Sequence, residues 1–474
     1  MKSLDQSARW INQLGQRQGS FATYLNVFHA DIHAFLDTKR ISADEDVRAK
    51  TLSIGVVIPD KFMELAAKGQ KGFLFYPKNV FDEYGEHLDE MDLSEMYDKL
   101  VENPNIRKKE FDPRVLMKDI GVSLQESGYP YIMFEGNINR VHANNNVSRV
   151  KFSNLCSEIT QYSCVSTHGD YGQEDNIGYD ISCNLGSLNI MNAMKTDDFE
   201  KMIATSIDAL VKVSELTNIT NAPAVRRANE ESRSVGLGSM NLHGYLANNG
   251  IVYGSKESLE FADAFYSTMR FYALKRSMEL AIEKDSTYYG FEGSKYADGT
   301  QLKPYFDTDY RPHSEKVSAL FENIPVPSPE DWKQLSNDIQ QNGLYNSYLL
   351  ATAPTGSISY LQNATASILP VVDKIEERPQ GKSKAYFPAP NLSGKNWFFY
   401  QEAYDIDQFK LVDMVATIQQ HTDQAISFTY FMKDNVTTAD INRLQLYAYS
   451  KGVKTMYYMR TKRVNMEGCL SCTL

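Results

Sequence analysis

The sequence predicts an α/β fold with parallel strand pairing. Three observations carry that expectation: strand-length apolar runs stopped by turn residues, longer segments with apolar residues at helical spacing, and the alternation of the two along the chain. TLSIGVVIPD (Thr51 to Asp60) alternates Leu52, Ile54 and Val56 and stops at Pro59, so it reads as a buried strand. YPYIMFEGN (Tyr129 to Asn137) reads likewise. FEKMIATSIDALVKVSEL places Phe199, Met202, Ile203, Ile207, Leu210 and Val211 at helical spacing, with Asp197 or Asp198 as the N-cap. ATAPTGSISY (Ala351 to Tyr360) is a Pro-Thr-Gly-Ser turn opening a helix-compatible stretch. KGVKTMYYMR (Lys451 to Arg460) predicts a late strand, and after Arg463 the periodicity disappears, which predicts a mobile tail.

With 474 residues, 42% of them apolar and 23% charged, the chain has the composition of a soluble globular protein with a sizeable core. No apolar run approaches the ~18 residues that span a bilayer. The opening MKSLDQSARW lacks the basic start and apolar stretch of a secretory signal, so a cytoplasmic location without a membrane partner is expected. A net charge of -11 argues against a dedicated nucleic-acid binder. It leaves room for nucleotides, because a small phosphate site needs only a few amide donors. Five cysteines in so long a chain are no disulfide framework; they are buried thiols, metal ligands or redox groups.

SNLCSEI is the densest chemical stretch. Asn154, Cys156 and Glu158 fall at i, i+2 and i+4, so an extended backbone would put an amide, a thiol and a carboxylate on one face. The plain alternative is a buried structural cysteine between polar neighbours. Cys183 in YDISCNLGSLNI has the same two readings, and Cys164 with His168 supplies too few ligands for a metal site, so no metal is expected in this chain. The turn at Pro354, Thr355, Gly356, Ser357, Ile358 and Ser359 can offer amides and hydroxyls to a phosphate, or simply cap a helix. Tyr457 and Tyr458 are either strand packing or an oxidisable pair. The terminal Cys469-x-x-Cys472 sits beyond any packed element, where an accessible dithiol suits disulfide exchange.

Together these stretches resemble the large, catalytic subunit of class I ribonucleotide reductase, with class Ib the nearest form. WKQLSNDIQQNGLYNSYLLATAPTGS (Trp332 to Ser357) fits that family's signature. NQLGQRQGS, HADIHAFLDTKR, SNLCSEI, DISCNLGSLNI, GLGSMNLHGYL, GVKTMYY and GCLSCTL follow in family order. The resemblance implies the C-terminal part of a ten-stranded α/β barrel over 1–460, with the catalytic cysteine on a finger loop, and a flexible redox-active tail over 461–474. It implies that Cys156 is the thiyl-radical site that takes the 3′ hydrogen of a ribonucleoside diphosphate. Glu158 would accept the 3′-hydroxyl proton and Asn154 would hydrogen-bond the sugar. Cys183 would be one of two reducing thiols, and Pro354 to Ser359 would hold the diphosphate.

Tyr457 and Tyr458 would relay radical character from a separate dimetal-tyrosyl subunit. Because strand neighbours point to opposite faces, a stacked pair there requires the backbone to leave regular β geometry. Cys469 and Cys472 would carry oxidation out to a thioredoxin- or glutaredoxin-like protein. Gln13, Gly15, Gln16, Arg17, Gln18 and Gly19 match the loop that couples nucleoside triphosphate effectors to substrate choice. No cofactor would be held permanently by this chain.

The family pattern begins upstream of this sequence. The first barrel strands and the partner thiol of Cys183 belong to that upstream region, and no cysteine precedes Cys156. The expectation is therefore a split large subunit completed by an N-terminal polypeptide, with a non-catalytic fragment acting only through association as the alternative.

Overall fold

The structure is a computed structural model that describes residues 1–11, 15, 18–380 and 383–462. Twelve strands run along the described chain. They are β1 (Ala22–Asn26), β2 (Ser53–Ile58), β3 (Gly72–Phe75), β4 (Lys108–Phe111), β5 (Tyr131–Phe134), β6 (Leu185–Asn189) and β7 (Gly236–Met240). β8 (Ile375–Gln380), β9 (Ser383–Pro388), β10 (Thr429–Lys433), β11 (Thr455–Met456) and β12 (Tyr458–Lys462) complete the set. Helices fill most of the connections, as the alternation predicts. The residues divide into two compact units, the first containing 1–140, 150–157 and 428–462, the second 141–149 and 158–427.

In the first unit a sheet of order β1-β2-β5-β11 is parallel through β1, β2 and β5 and closes with antiparallel β11. All six residues of β2 are buried, as a parallel strand flanked on both sides requires. Gly55 in β2 is obligatory: a Cβ there would lie 2.3 Å from the Tyr24 ring, which crosses the strand at that point. The strand expected from Tyr129 to Asn137 ends at Phe134, and a helix, Glu135–Val141, follows directly. Within that helix the Asn137 side-chain amide donates to the carbonyls of Tyr449 and Val453.

The second unit shows the same logic. The helix Phe199–Leu216 runs as predicted, and the Asp198 carboxylate caps it by accepting from the Lys201 N–H. β6 and β7 are parallel, and single parallel bridges from Leu237 to Leu350 and from Thr352 to Ile426 extend that order. Helix Lys256–Glu283 is buried over most of its length against helices Phe199–Leu216, Pro329–Asn342 and Gln408–Gln419. The signature stretch has structural reasons of its own. Trp332 is fully buried and stacks on Tyr305 at 3.9 Å. Gly343 has φ 79° and ψ -174°, which only glycine adopts readily, and its Cα faces Thr287. Asn346 donates to the Arg233 carbonyl and accepts from Ser277.

Candidate active site

The SNLCSEI stretch is a tight turn, so the extended-backbone argument does not apply to it. The Ser157 N–H donates to the Asn154 carbonyl at 3.2 Å, and Ser157 adopts φ 65°. Turn formation wins because long-range partners fix both ends. Tyr24 Oη donates to the Asn154 carbonyl at 3.1 Å, and Thr455 Oγ1 donates to the Ser157 carbonyl at 2.9 Å. The turn thus presents Cys156 at its tip, half-buried. Asn154 lines an open cleft of about 520 Å³ with Ser20, Tyr24, Phe152 and Ser153.

The Cys156 thiol donates towards Tyr457 Oη at 3.9 Å. The rings of Tyr457 and Tyr458 lie 4.4 Å apart at 70°. The backbone departs from β geometry at this point, as a paired array requires: β11 ends at Met456, Tyr457 belongs to no strand, and β12 begins at Tyr458. The two short strands pair differently, β11 with β5 and β12 with β10, so the chain changes sheets at Tyr457. That break turns two sequence neighbours into ring neighbours. Burial holds the Tyr457 phenol well above its ordinary value, and the adjacent Cys156 and Tyr458 act in the same direction.

In the second unit Glu158 is 2% exposed, and its backbone carbonyl accepts from the Ala425 N–H. Cys183 is exposed, which removes its reading as a core residue. Cys164 is half-buried in a short antiparallel pairing with Tyr179, and His168 pairs with Asp175 at 3.2 Å. Among the described residues no group of three or more His, Cys, Asp or Glu side chains is placed to hold a metal ion. None of their helices is long and apolar enough to cross a membrane.

The Pro354 turn leads into the helix Gly356–Leu361, with Thr355 in the left-handed region at φ 51°. Thr355 is buried and its hydroxyl accepts from the Ser367 N–H at 2.7 Å, whereas Gly356, Ser357 and Ile358 are exposed. The Ser359 hydroxyl donates to the Gly356 carbonyl. Of the loop from Gln13 to Gly19, Gln13, Gln16 and Arg17 lie outside the described residues. Gly15 adopts φ 78°, Gln18 is exposed, and the Gly19 N–H donates to the Ile11 carbonyl. Cys469 and Cys472 also lie outside the described residues.

Sequence reasoning missed Tyr24, Tyr131 and Ser53. Tyr131 packs on Tyr457 with ring centroids 4.8 Å apart, and its hydroxyl donates to Ser53. The only sequence signal for Tyr131 was its place in an apolar strand, which is also the signal for ordinary packing.

A family model described as ribonucleotide reductase, barrel domain, matches residues 1–459. Ribonucleoside-diphosphate reductase subunit alpha of Bacillus subtilis (strain 168) is 57% identical over 474 residues, covering all of this chain and 68% of that relative. The subunit alpha of Mycoplasma pneumoniae is 42% identical over 493 residues, again with all of this chain and 68% of the relative. That of Helicobacter pylori is 29% identical over 507 residues, with 96% of this chain and 62% of the relative. The chain belongs to the ribonucleotide reductase family, and its thiol–phenol array lies within the matched barrel domain.

Proposed function

We propose that this chain reduces ribonucleoside diphosphates to deoxyribonucleoside diphosphates by radical chemistry, as the C-terminal part of a catalytic subunit. The array of Cys156, Tyr457 and Tyr458 supports this reading most strongly, because a thiol 3.9 Å from a half-buried phenol suits hydrogen-atom exchange between the two. In this reading Tyr458 receives the oxidising equivalent from a radical-generating subunit and passes it to Tyr457. The Cys156 S–H bond then breaks, its hydrogen goes to the Tyr457 oxygen, and a thiyl remains.

The thiyl takes the 3′ hydrogen of the ribose, and Glu158 accepts the 3′-hydroxyl proton. The 2′-hydroxyl leaves as water. Cys183 and a second thiol supply two electrons and two protons, one proton leaving with the 2′-hydroxyl as water and the other completing the new 2′ C–H bond; the two thiols become a disulfide, and the 3′ hydrogen returns from Cys156. A half-buried thiol at the tip of a clamped turn is shielded from side reactions while remaining reachable by substrate. Asn154, at the lip of the cleft, would orient the sugar, and the turn from Pro354 to Ser359 would hold the diphosphate through its exposed Gly356–Ser357 backbone.

The reading includes a second thiol beside Cys183, and the chain matches 68% of the length of these relatives. It also includes nucleoside triphosphate effectors acting through the Gln13 to Gly19 loop, and a thioredoxin- or glutaredoxin-like reductant served by Cys469 and Cys472. The test is a deoxyribonucleotide assay of the complete catalytic subunit assembled with the radical subunit. Cys156→Ser should abolish product while nucleotide binding persists. Normal product formation by that variant would end the proposal.

A further inference from the structure

Tyr457 is contacted by a third ring that the relay does not need as a carrier. Tyr131, at the start of β5, lies 4.8 Å from Tyr457 at 46° and is 2% exposed. Its hydroxyl donates to Ser53 Oγ at 3.0 Å, and Ser53 Oγ in turn donates to Tyr129 Oη at 3.4 Å. The rings of Tyr129 and Tyr131 are 5.3 Å apart, and Lys39 Nζ sits 4.5 Å above the Tyr129 ring. The result is an aromatic and hydroxyl chain running from Lys39 through Tyr129, Ser53 and Tyr131 to Tyr457, with Ser53 and Tyr131 buried and Tyr129 and Tyr457 half-buried.

We propose that Tyr131 is a positioning residue for the relay: anchored on Ser53, it holds the Tyr457 phenol in register with the Cys156 thiol without itself carrying the radical. The inference rests on the proposed relay through Tyr457.

Two geometric features argue for a supporting role. The Tyr131 hydroxyl is anchored on Ser53, which fixes its ring against Tyr457. Tyr457 sits where the chain changes sheets and belongs to no strand, so ring and hydroxyl contacts contribute to the orientation of its side chain. During transfer from Cys156 to a Tyr457 radical, one proton and one electron leave the thiol together for the phenolic oxygen. Tyr131 keeps its own proton on Ser53 throughout.

The experiment uses the assembled reductase carrying Tyr131→Phe, which keeps the ring and deletes the hydroxyl. The expected result is a kcat about tenfold lower, the order of one neutral hydrogen bond lost in the transition state, with KM for the ribonucleoside diphosphate unchanged. 3-Aminotyrosine placed at position 457 provides a spectroscopic readout. Its radical should show altered g-values when Tyr131 becomes Phe. Ser53→Ala leaves both tyrosines and removes only the anchor, so it should move the same spectrum in the same direction by a smaller amount.

A Tyr131→Phe enzyme with wild-type kcat and an unchanged 457 spectrum overturns the inference. So does complete loss of turnover in a folded Tyr131→Phe enzyme, which would make Tyr131 a carrier. Tyr457→Phe separates the two levels: wild-type turnover there ends the relay itself, whereas a dead Tyr457→Phe beside a normal Tyr131→Phe ends only the role of Tyr131.

Discussion

Acidification should destabilise the second unit through His243. This side chain is fully buried against Tyr253 and Tyr400, with ring centroids at 5.5 and 5.3 Å. Its Nδ1 accepts from the Val371 N–H at 3.0 Å, which requires an unprotonated nitrogen there. Burial pushes the imidazole down from 6.5 to about 4. Because the folded value lies below the unfolded one, the unfolded chain binds the proton first. Stability attributable to this group is therefore full above pH 6.5 and is lost as pH falls from 6.5 towards 4. At about 1.36 kcal/mol per pH unit the whole span is worth about 3 kcal/mol, and about 2 kcal/mol of it is gone by pH 5.

Urea unfolding followed by tryptophan fluorescence at pH 7.5 and pH 5.0 measures the loss, in the native chain and in His243→Asn. The amide oxygen of the variant can still accept from Val371, but the side chain no longer titrates. Carboxylates are common to both proteins, so the difference between the two pH dependences isolates His243. The native chain should lose about 2 kcal/mol more than the variant over this interval. Parallel losses in the two proteins would refute the reasoning.

Further outcomes follow from other sites. Gly343→Ala should cost about 3–5 kcal/mol in the same unfolding assay, since it combines a φ of 79° with a Cβ placed 2.2 Å from Thr287 Cγ2. A loss below about 1 kcal/mol would show that the helix end can relax there. Tyr24→Phe removes the clamp on the Asn154 carbonyl and should lower stability by about 1 kcal/mol, with a larger relative loss of turnover in the assembled enzyme. Equal turnover would mean that the Cys156 turn holds its shape without Tyr24. Replacing Cys469 and Cys472 together by serine should limit the assembled enzyme to about one turnover with a protein reductant, while small dithiols still sustain it. Continued turnover with the protein reductant would remove the tail from the cycle.

Local grammar was legible wherever a few neighbouring residues decide the outcome. The helix Phe199–Leu216 and its Asp198 cap depend on side-chain spacing and one carboxylate, both contained in eighteen consecutive residues and their neighbour. The buried strand at Ser53–Ile58 and the helix-opening turn at Thr355 are of the same kind. So is the chemical inventory: which residues are thiols, phenols and carboxylates is a property of the chain itself, and their order carries the family likeness.

Tertiary structure decided how those groups meet. Alternation suggested an extended SNLCSEI, yet Tyr24 and Thr455, 130 residues before Asn154 and 298 after Ser157, clamp it into a turn. Cys156 and Tyr457 meet across 301 residues of sequence, and no periodicity reports a partner that distant. The pairing of Tyr457 with Tyr458 depends on two different sheets claiming the strands on either side, and the part played by Tyr131 depends on that same crossing. A sequence states the residues and their local preferences. Hydrogen bonds and ring contacts between remote segments cost chain entropy that only the cooperative fold offsets, and so their geometry appears only in the folded protein.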